Sequence, residues 1–380
     1  MKAFASILLL AACASKDVPP TSTQVVAAPR VMPTAAPAGE GIQVNVAASG
    51  LERYERIVRN VEGCALEGYQ VDPACKGLHE LTSGMVDVPA DLRADLGRAM
   101  IGHSSPAVRI KAAELMNVEH GVGPSRDSQD AIADAASHER DPGVLRAFIH
   151  IIANQGAANP KVAAVLLAAA DHADKDVRLQ AVFALTAPAN RGLAGASDKL
   201  AKLVTDSDLK VRTTACESAG KLGGDDLIPL YEKLTASTSD PDLYAACMEG
   251  LVRMFHEHPS FETANEQAYH LFLKRISTTP RTETSPPWNV MSTFCYFSHE
   301  SDLDKLAAWK KRATWFDPRE VKRVMSDVIR DKAASTMARS AAIESMVGLG
   351  ATKPELEALR RVIDPKAKSV LDKLATAMAE

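Results

Sequence analysis

Aromatic side chains make up only 5% of this 380-residue chain, although apolar residues reach 46%. A core so poor in rings has to be built from Ala, Leu, Val, Ile and Met, a mixture suited to closely packed helices. Basic clusters are missing as well. The formal net charge is −4 and no lysine or arginine block stands out, which argues against nucleic acid as a partner. The signatures of catalysis are equally scarce: there is no GxSxG elbow, P-loop, dinucleotide fingerprint, HExxH or paired CxxC. The ten histidines are scattered, and "HEH" at His256 to His258 runs straight into a proline. These absences point away from an enzyme and from a resident metal or cofactor. No apolar run reaches the length of a membrane-spanning helix.

At the N-terminus, Lys2 precedes an apolar run from Phe4 to Leu10, and Leu10, Ala11 and Ala12 lead into Cys13. The segment resembles a bacterial lipoprotein signal with its lipobox. The resemblance implies cleavage before Cys13, lipidation of its thiol with palmitate among the acyl chains, and anchoring in the bacterial envelope. Ala14 and Ser15 follow the cysteine, which suggests an outer-membrane location facing the periplasm. The next stretch carries Pro19, Pro20, Pro29, Pro33 and Pro37 among small and polar residues, so it reads as a loose tether.

The rest of the chain shows an internal repeat. "DKDVRLQAVFAL" from Asp174 has a cap-forming residue three positions before Val177 and small or apolar residues four and eight positions after it. The same pattern recurs from Ser105, Asp141, Asp208, Asp240 and Ser335. Side chains of these types accept hydrogen bonds from the free amides of a first helical turn. In three copies the next residue is Pro106, Pro142 or Pro241, at the position where proline costs a helix nothing. Positions zero, four and eight line one helical face. Gly121, Gly156, Gly223 and Gly350 stand about twelve residues after position zero and read as left-handed caps. A second amphipathic segment follows each stop, as from Pro160, Ser197, Asp225 and Lys353.

Successive starts lie 36, 33, 34 and 32 residues apart, then 95, close to three further periods. A unit of two helices repeating at this interval predicts an all-α fold, an α-solenoid. The "D x x V R x x A x x A L" pattern resembles HEAT and HEAT-like repeats, including the type named after phycobiliprotein lyases. The resemblance implies an armadillo-type superhelix in which Arg109, Arg178, Arg212 and Arg339 each pair with the Asp at a neighbouring repeat's turn. A basic ladder for an acidic ligand is the competing reading of these four residues.

Ahead of the repeats, Ser49 and Glu52 read as a capping box for a first helix. Cys64 and Cys75 bracket a short loop, and in an oxidising compartment they are expected to form a disulfide; metal ligation would need a different spacing. Cys216, Cys247 and Cys295 remain, an odd number that leaves at least one thiol free. Cys216 and Cys247 read as small core residues, with a bridge between them as the alternative. All three tryptophans, Trp288, Trp309 and Trp315, fall where the repeat fades, together with Tyr296. They are candidates for a partner-binding patch, against the reading that large rings fill gaps between degenerate repeats.

The chain thus divides into a signal segment (1–12), a lipidated cysteine with its tether (13–48), an N-terminal helical cap with a disulfide (49–103) and a solenoid (104–380). The expected function is protein binding, as a membrane-anchored scaffold or assembly factor whose partner the sequence does not identify. An enzyme or chromophore-handling protein related to bilin lyases, and a passive envelope component, are the alternatives.

Overall fold

The structure is a computed structural model and describes residues 46–86, 88–117, 124–258, 260–278, 288–298 and 303–379. The chain divides into two compact units at residue 52, and the helical array belongs to the second, residues 53–380. Cys13, its signal and most of the tether lie outside the described residues.

The first helix, α1 (Val46–Arg59), starts three residues before Ser49. Ser49 is therefore inside the helix and does not cap it; Ala47 and Ala48, strong helix formers, carry the helix upstream. The disulfide between Cys64 and Cys75 spans a Cα–Cα distance of 5.7 Å. Within its loop β1 (Leu66–Glu67) pairs antiparallel with β2 (Gln70–Val71). Helices α2 (Lys76–Gly84) and α3 (Ala90–Met100) lead into the repeats.

The regular part alternates between two layers. One contains α4 (Pro106–Met116), α6 (Pro142–Ile152), α8 (Lys175–Leu185), α10 (Leu209–Ala219) and α12 (Pro241–Phe255), each packed on the next. Between them run α5 (Arg126–His138), α7 (Pro160–Ala169), α9 (Ala196–Leu203) and α11 (Ile228–Ser237), the other layer. The seam between layers is the one the spacing predicts: Val144, Phe148 and Ile152, then Val177, Ala181 and Leu185, are completely buried. Asp141, Asp174, Asp208 and Asp240 each accept two amides of the first turn, and Ser335 accepts one. Ser105 holds the cap position without capping, because its hydroxyl donates instead to the Glu62 carbonyl at 2.9 Å.

Two details of the pattern are corrected. Gly223 and Gly350 adopt positive φ, as left-handed caps do. Gly156 does not; a Cβ there would stand 2.9 Å from Leu166 and 3.0 Å from Asn190, so this glycine makes room for its neighbours. Gly121 lies outside the described residues. The 95-residue interval is also not three short periods. Among the described residues between α12 and α17 (Thr336–Gly348), the layer holds only α14 (Trp288–Met291), with α13 (Glu266–Thr278) and α16 (Pro318–Arg330) opposite and α15 (Leu303–Arg312) inserted. Two long, irregular steps replace three regular ones. Helices α18 (Lys353–Val362) and α19 (Lys368–Ala379) close the array.

Helices α10 and α12 approach closely. A Cβ on Gly220 would fall 2.0 Å from the Gly250 carbonyl oxygen, and one on Gly250 would fall 2.3 Å from that of Cys216. That approach brings Cys216 and Cys247, both fully buried, to a Cα–Cα distance of 4.9 Å, and they are bonded. The bridge takes two of the three cysteines left outside the N-terminal pair, as the alternative reading had it. Replacing Cys216 and Cys247 by alanine is expected to cost ~2–4 kcal/mol of unfolding free energy. Gly220→Ala, which overpacks the same contact, is expected to cost ~1–3 kcal/mol. Urea denaturation of both variants against the parent protein checks these values.

Candidate functional site

The arginines at position one are built into the turns. Arg109 reaches Glu139 with Nε at 2.7 Å and Nη2 at 3.0 Å, while its Nη1 donates to the carbonyls of His103 and Ser104. Arg178 repeats the arrangement with Asp206 at 2.7 and 2.8 Å and the carbonyls of His172 and Ala173. The acids are committed too: Glu139 accepts the amides of Arg140 and Asp141, and Asp206 accepts that of Asp208. Hydrogen bonding to Arg178 holds the Asp206 carboxyl below the usual carboxylate range. Arg212 keeps the carbonyl contacts, to Asp206 and Ser207. Arg339 is buried and donates to the Ile329 carbonyl at 2.8 Å. These four side chains clamp turns and do not form a ladder open to ligands.

The aromatic candidates separate in the same way. Trp309 is fully buried, and its indole N–H donates to the carbonyls of Phe255 at 2.7 Å and Thr263 at 2.9 Å. It is a core residue, which removes it from any docking patch. Phe297 and Phe316 pack against its ring, and Phe255, Phe261, Phe272 and Phe294, all buried, extend the cluster. Tyr296 is half-buried and stacks on His258 with ring centroids 3.8 Å apart. Trp315 is half-buried beside Tyr269. The side chain of Trp288 lies outside what the structure describes.

His256 sits inside this aromatic cluster, 4.6 Å from Phe261 and 4.7 Å from Phe297 between ring centroids. Neither of its ring nitrogens has a hydrogen-bond partner. Burial, with a smaller contribution from His258, pushes its pKa down to about 3. An unfolded chain takes up this proton near pH 6.5, so between about pH 3 and 6.5 only the unfolded state carries it. The sign follows: this contribution to stability is complete above pH 6.5 and shrinks as the pH falls, by ~1.4 kcal/mol per unit. Between pH 7 and pH 5 the parent protein should therefore lose ~2 kcal/mol more than His256→Leu, as read by urea denaturation at the two pH values.

The first layer carries a different constellation, exposed at His150 and Phe183 and half-buried at Glu217 and Glu249. Six residues beyond each core-facing position zero stand His150, Phe183, Glu217 and Glu249, on neighbouring helices α6, α8, α10 and α12. The equivalence is physical: Arg253 Nη2 bridges Glu217 at 2.7 Å and Glu249 at 2.8 Å, which places these two positions side by side. Burial and the neighbouring Glu249 raise the pKa of Glu217. Burial and Arg253 lower that of Lys221, one turn further along. At the other end of the row, Tyr69 from the β-hairpin packs on His150 at 5.4 Å, and the Arg146 guanidinium lies 5.1 Å from the Tyr69 ring centre. Between the ends, Phe183 is 48% exposed. Among the described residues there is no group of side chains arranged to hold a metal, and no helix long and apolar enough to cross a membrane.

The sequence pattern of HEAT repeats matches residues 93–186 and 162–251. No curated protein matches the chain. Among solved structures, a multiple mutant of Kap121p is similar at 13% identity over 88% of this chain, with a TM-score of 0.46. An engineered protein is similar at 15% identity over 88% of this chain and 80% of its own, with a TM-score of 0.35. The chain spans only 39% of the Kap121p mutant.

Proposed function

Since residues 93–251 of this chain are HEAT repeats, we propose that it is a protein-binding scaffold that docks a partner along the exposed row of its first helix layer. The observation that carries this reading is Phe183, a large apolar side chain left in solvent between the Tyr69–His150 pair and the Glu217–Arg253–Glu249 network. Aromatic residues and arginine are enriched at protein interfaces. Repeats supply such surfaces by area and shape, without a reactive centre.

We place the scaffold in the bacterial envelope, held through lipidated Cys13, with the periplasm-facing leaflet of the outer membrane as its location. Support comes from the lipobox-like sequence and from the disulfides Cys64–Cys75 and Cys216–Cys247, which persist in oxidising compartments. An anchor raises the local concentration of the scaffold where its partner resides.

A photo-crosslinking amino acid at position 183 should trap one dominant protein in cells, and the same probe at exposed Lys202 should not. Phe183→Ala is expected to weaken recovery of that protein about tenfold, the cost of losing one hot-spot side chain, with an unchanged melting temperature. Cys13→Ser should abolish palmitate incorporation and move the protein from the membrane to the soluble fraction. Equal crosslinking at both positions would remove the docking assignment, and a membrane-bound Cys13→Ser protein would remove the anchor.

A further inference from the structure

Away from the exposed row, the connections that follow α8, α10 and α12 meet the start of α13 around a cavity of about 480 Å³. Arg191, Asp225, Glu262, Glu266, Gln267 and Trp315 are among its walls. The walls are held from behind. Arg191 donates to the Lys221 carbonyl at 2.9 Å and pairs with both Glu257 and Glu262. The Asn265 amide donates to the Gly223 carbonyl at 3.1 Å and to Asp225 at 2.6 Å. The cavity is thus formed before anything enters it, and its volume falls within the range of small-molecule sites.

Its chemistry narrows the occupant. Three acidic residues and one guanidinium that is already paired line it, so an anion is disfavoured. An apolar molecule would desolvate Asp225, Glu266 and Gln267 with nothing in return. An alkylammonium ion would satisfy the carboxylates but leave the indole N–H of Trp315 and the amide of Gln267, which donate to nothing among the described residues, to water. A hydroxyl group both donates and accepts, and the C–H face of a pyranose ring is an apolar surface for an indole. We propose that this cavity is a saccharide site: a pyranose ring rests against Trp315, its hydroxyls donating to Asp225 and Glu266 and accepting from Gln267 and the Trp315 N–H. The site is independent of the protein-docking row, from which its residues are distinct.

Saturation-transfer NMR and titration calorimetry on the folded protein, with glucose, N-acetylglucosamine and N,N′-diacetylchitobiose as probes and spermidine as the competing cation, test the assignment. At least one saccharide should bind with a Kd of roughly millimolar order and with transfer to its ring C–H protons. The double variant Glu266→Gln/Gln267→Ala, altered only at exposed positions, should weaken binding by about tenfold or more, the loss of one charged hydrogen bond. Trp315→Phe should weaken it as well; if that variant loses thermal stability, the double variant decides. The proposal is overturned if no saccharide binds up to roughly 50 mM, if the double variant binds undiminished, or if spermidine binds and the sugars do not.

Discussion

Where α10 crosses α12, two glycines put one backbone directly against another and a buried disulfide locks the contact. Helices can stack this tightly only where their facing side chains are small. Most of the array obeys the same constraint in milder form, with Ala112, Ala181, Ala215 and Ala342 fully buried at the fourth position of the seam and Phe148 as the exception. Small residues give up little conformational entropy on burial and permit the short interaxial distances over which dispersion contacts accumulate. Large rings would hold neighbouring helices apart, and the low aromatic content is the compositional trace of that requirement.

Close packing of helices brings their ends together, and the ends carry unpaired amides and carbonyls. At the turn before α8 one acid and one arginine settle both. Asp174 accepts the amides of Asp176 and Val177, while Arg178 covers the carbonyls of His172 and Ala173 and crosses to Asp206 of the following turn. The ion pair is largely buried, with 13% and 8% of the two side chains exposed. Removing either partner would strand a charge in a low-dielectric setting. The arginine next to position zero is therefore occupied by the fold itself, and recognition is left to positions that the turns do not use.

Features set within a few residues were legible in the sequence. The aspartate caps, the prolines behind them and the 0, 4, 8 seam depend on local geometry alone, and each stands where the spacing places it. Features set by a distant segment were not. Ser105 gives its hydroxyl to Glu62, forty-three residues away, and Gly156 answers to Leu166 and Asn190 rather than to its own φ. The Cys216–Cys247 bridge requires the approach created at Gly220 and Gly250, which no spacing within one repeat reveals. Glu217, Glu249 and Arg253 could have been found by aligning the repeats on position zero and reading the sixth and tenth places after it. The cavity could not, since its walls come from four separate stretches of chain.

The aromatic residues show what happens when the small-residue rule lapses. Among the described residues between α12 and α17 the layer has only the short α14, and the space beside it is more than alanine and valine would fill. Phe255, Phe272, Phe294, Phe297 and Trp309 fill it, in edge-to-face, tilted and stacked contacts 5 to 6 Å apart between centroids. Trp309 pins the inserted α15 to the end of α12 through its two carbonyl bonds. Rings concentrated in this repair are rings withheld from the surface. An aromatic residue that stays exposed on a regular helix, as Phe183 does, then answers to no packing need of the fold, and that contrast is the physical reason to look for a partner there.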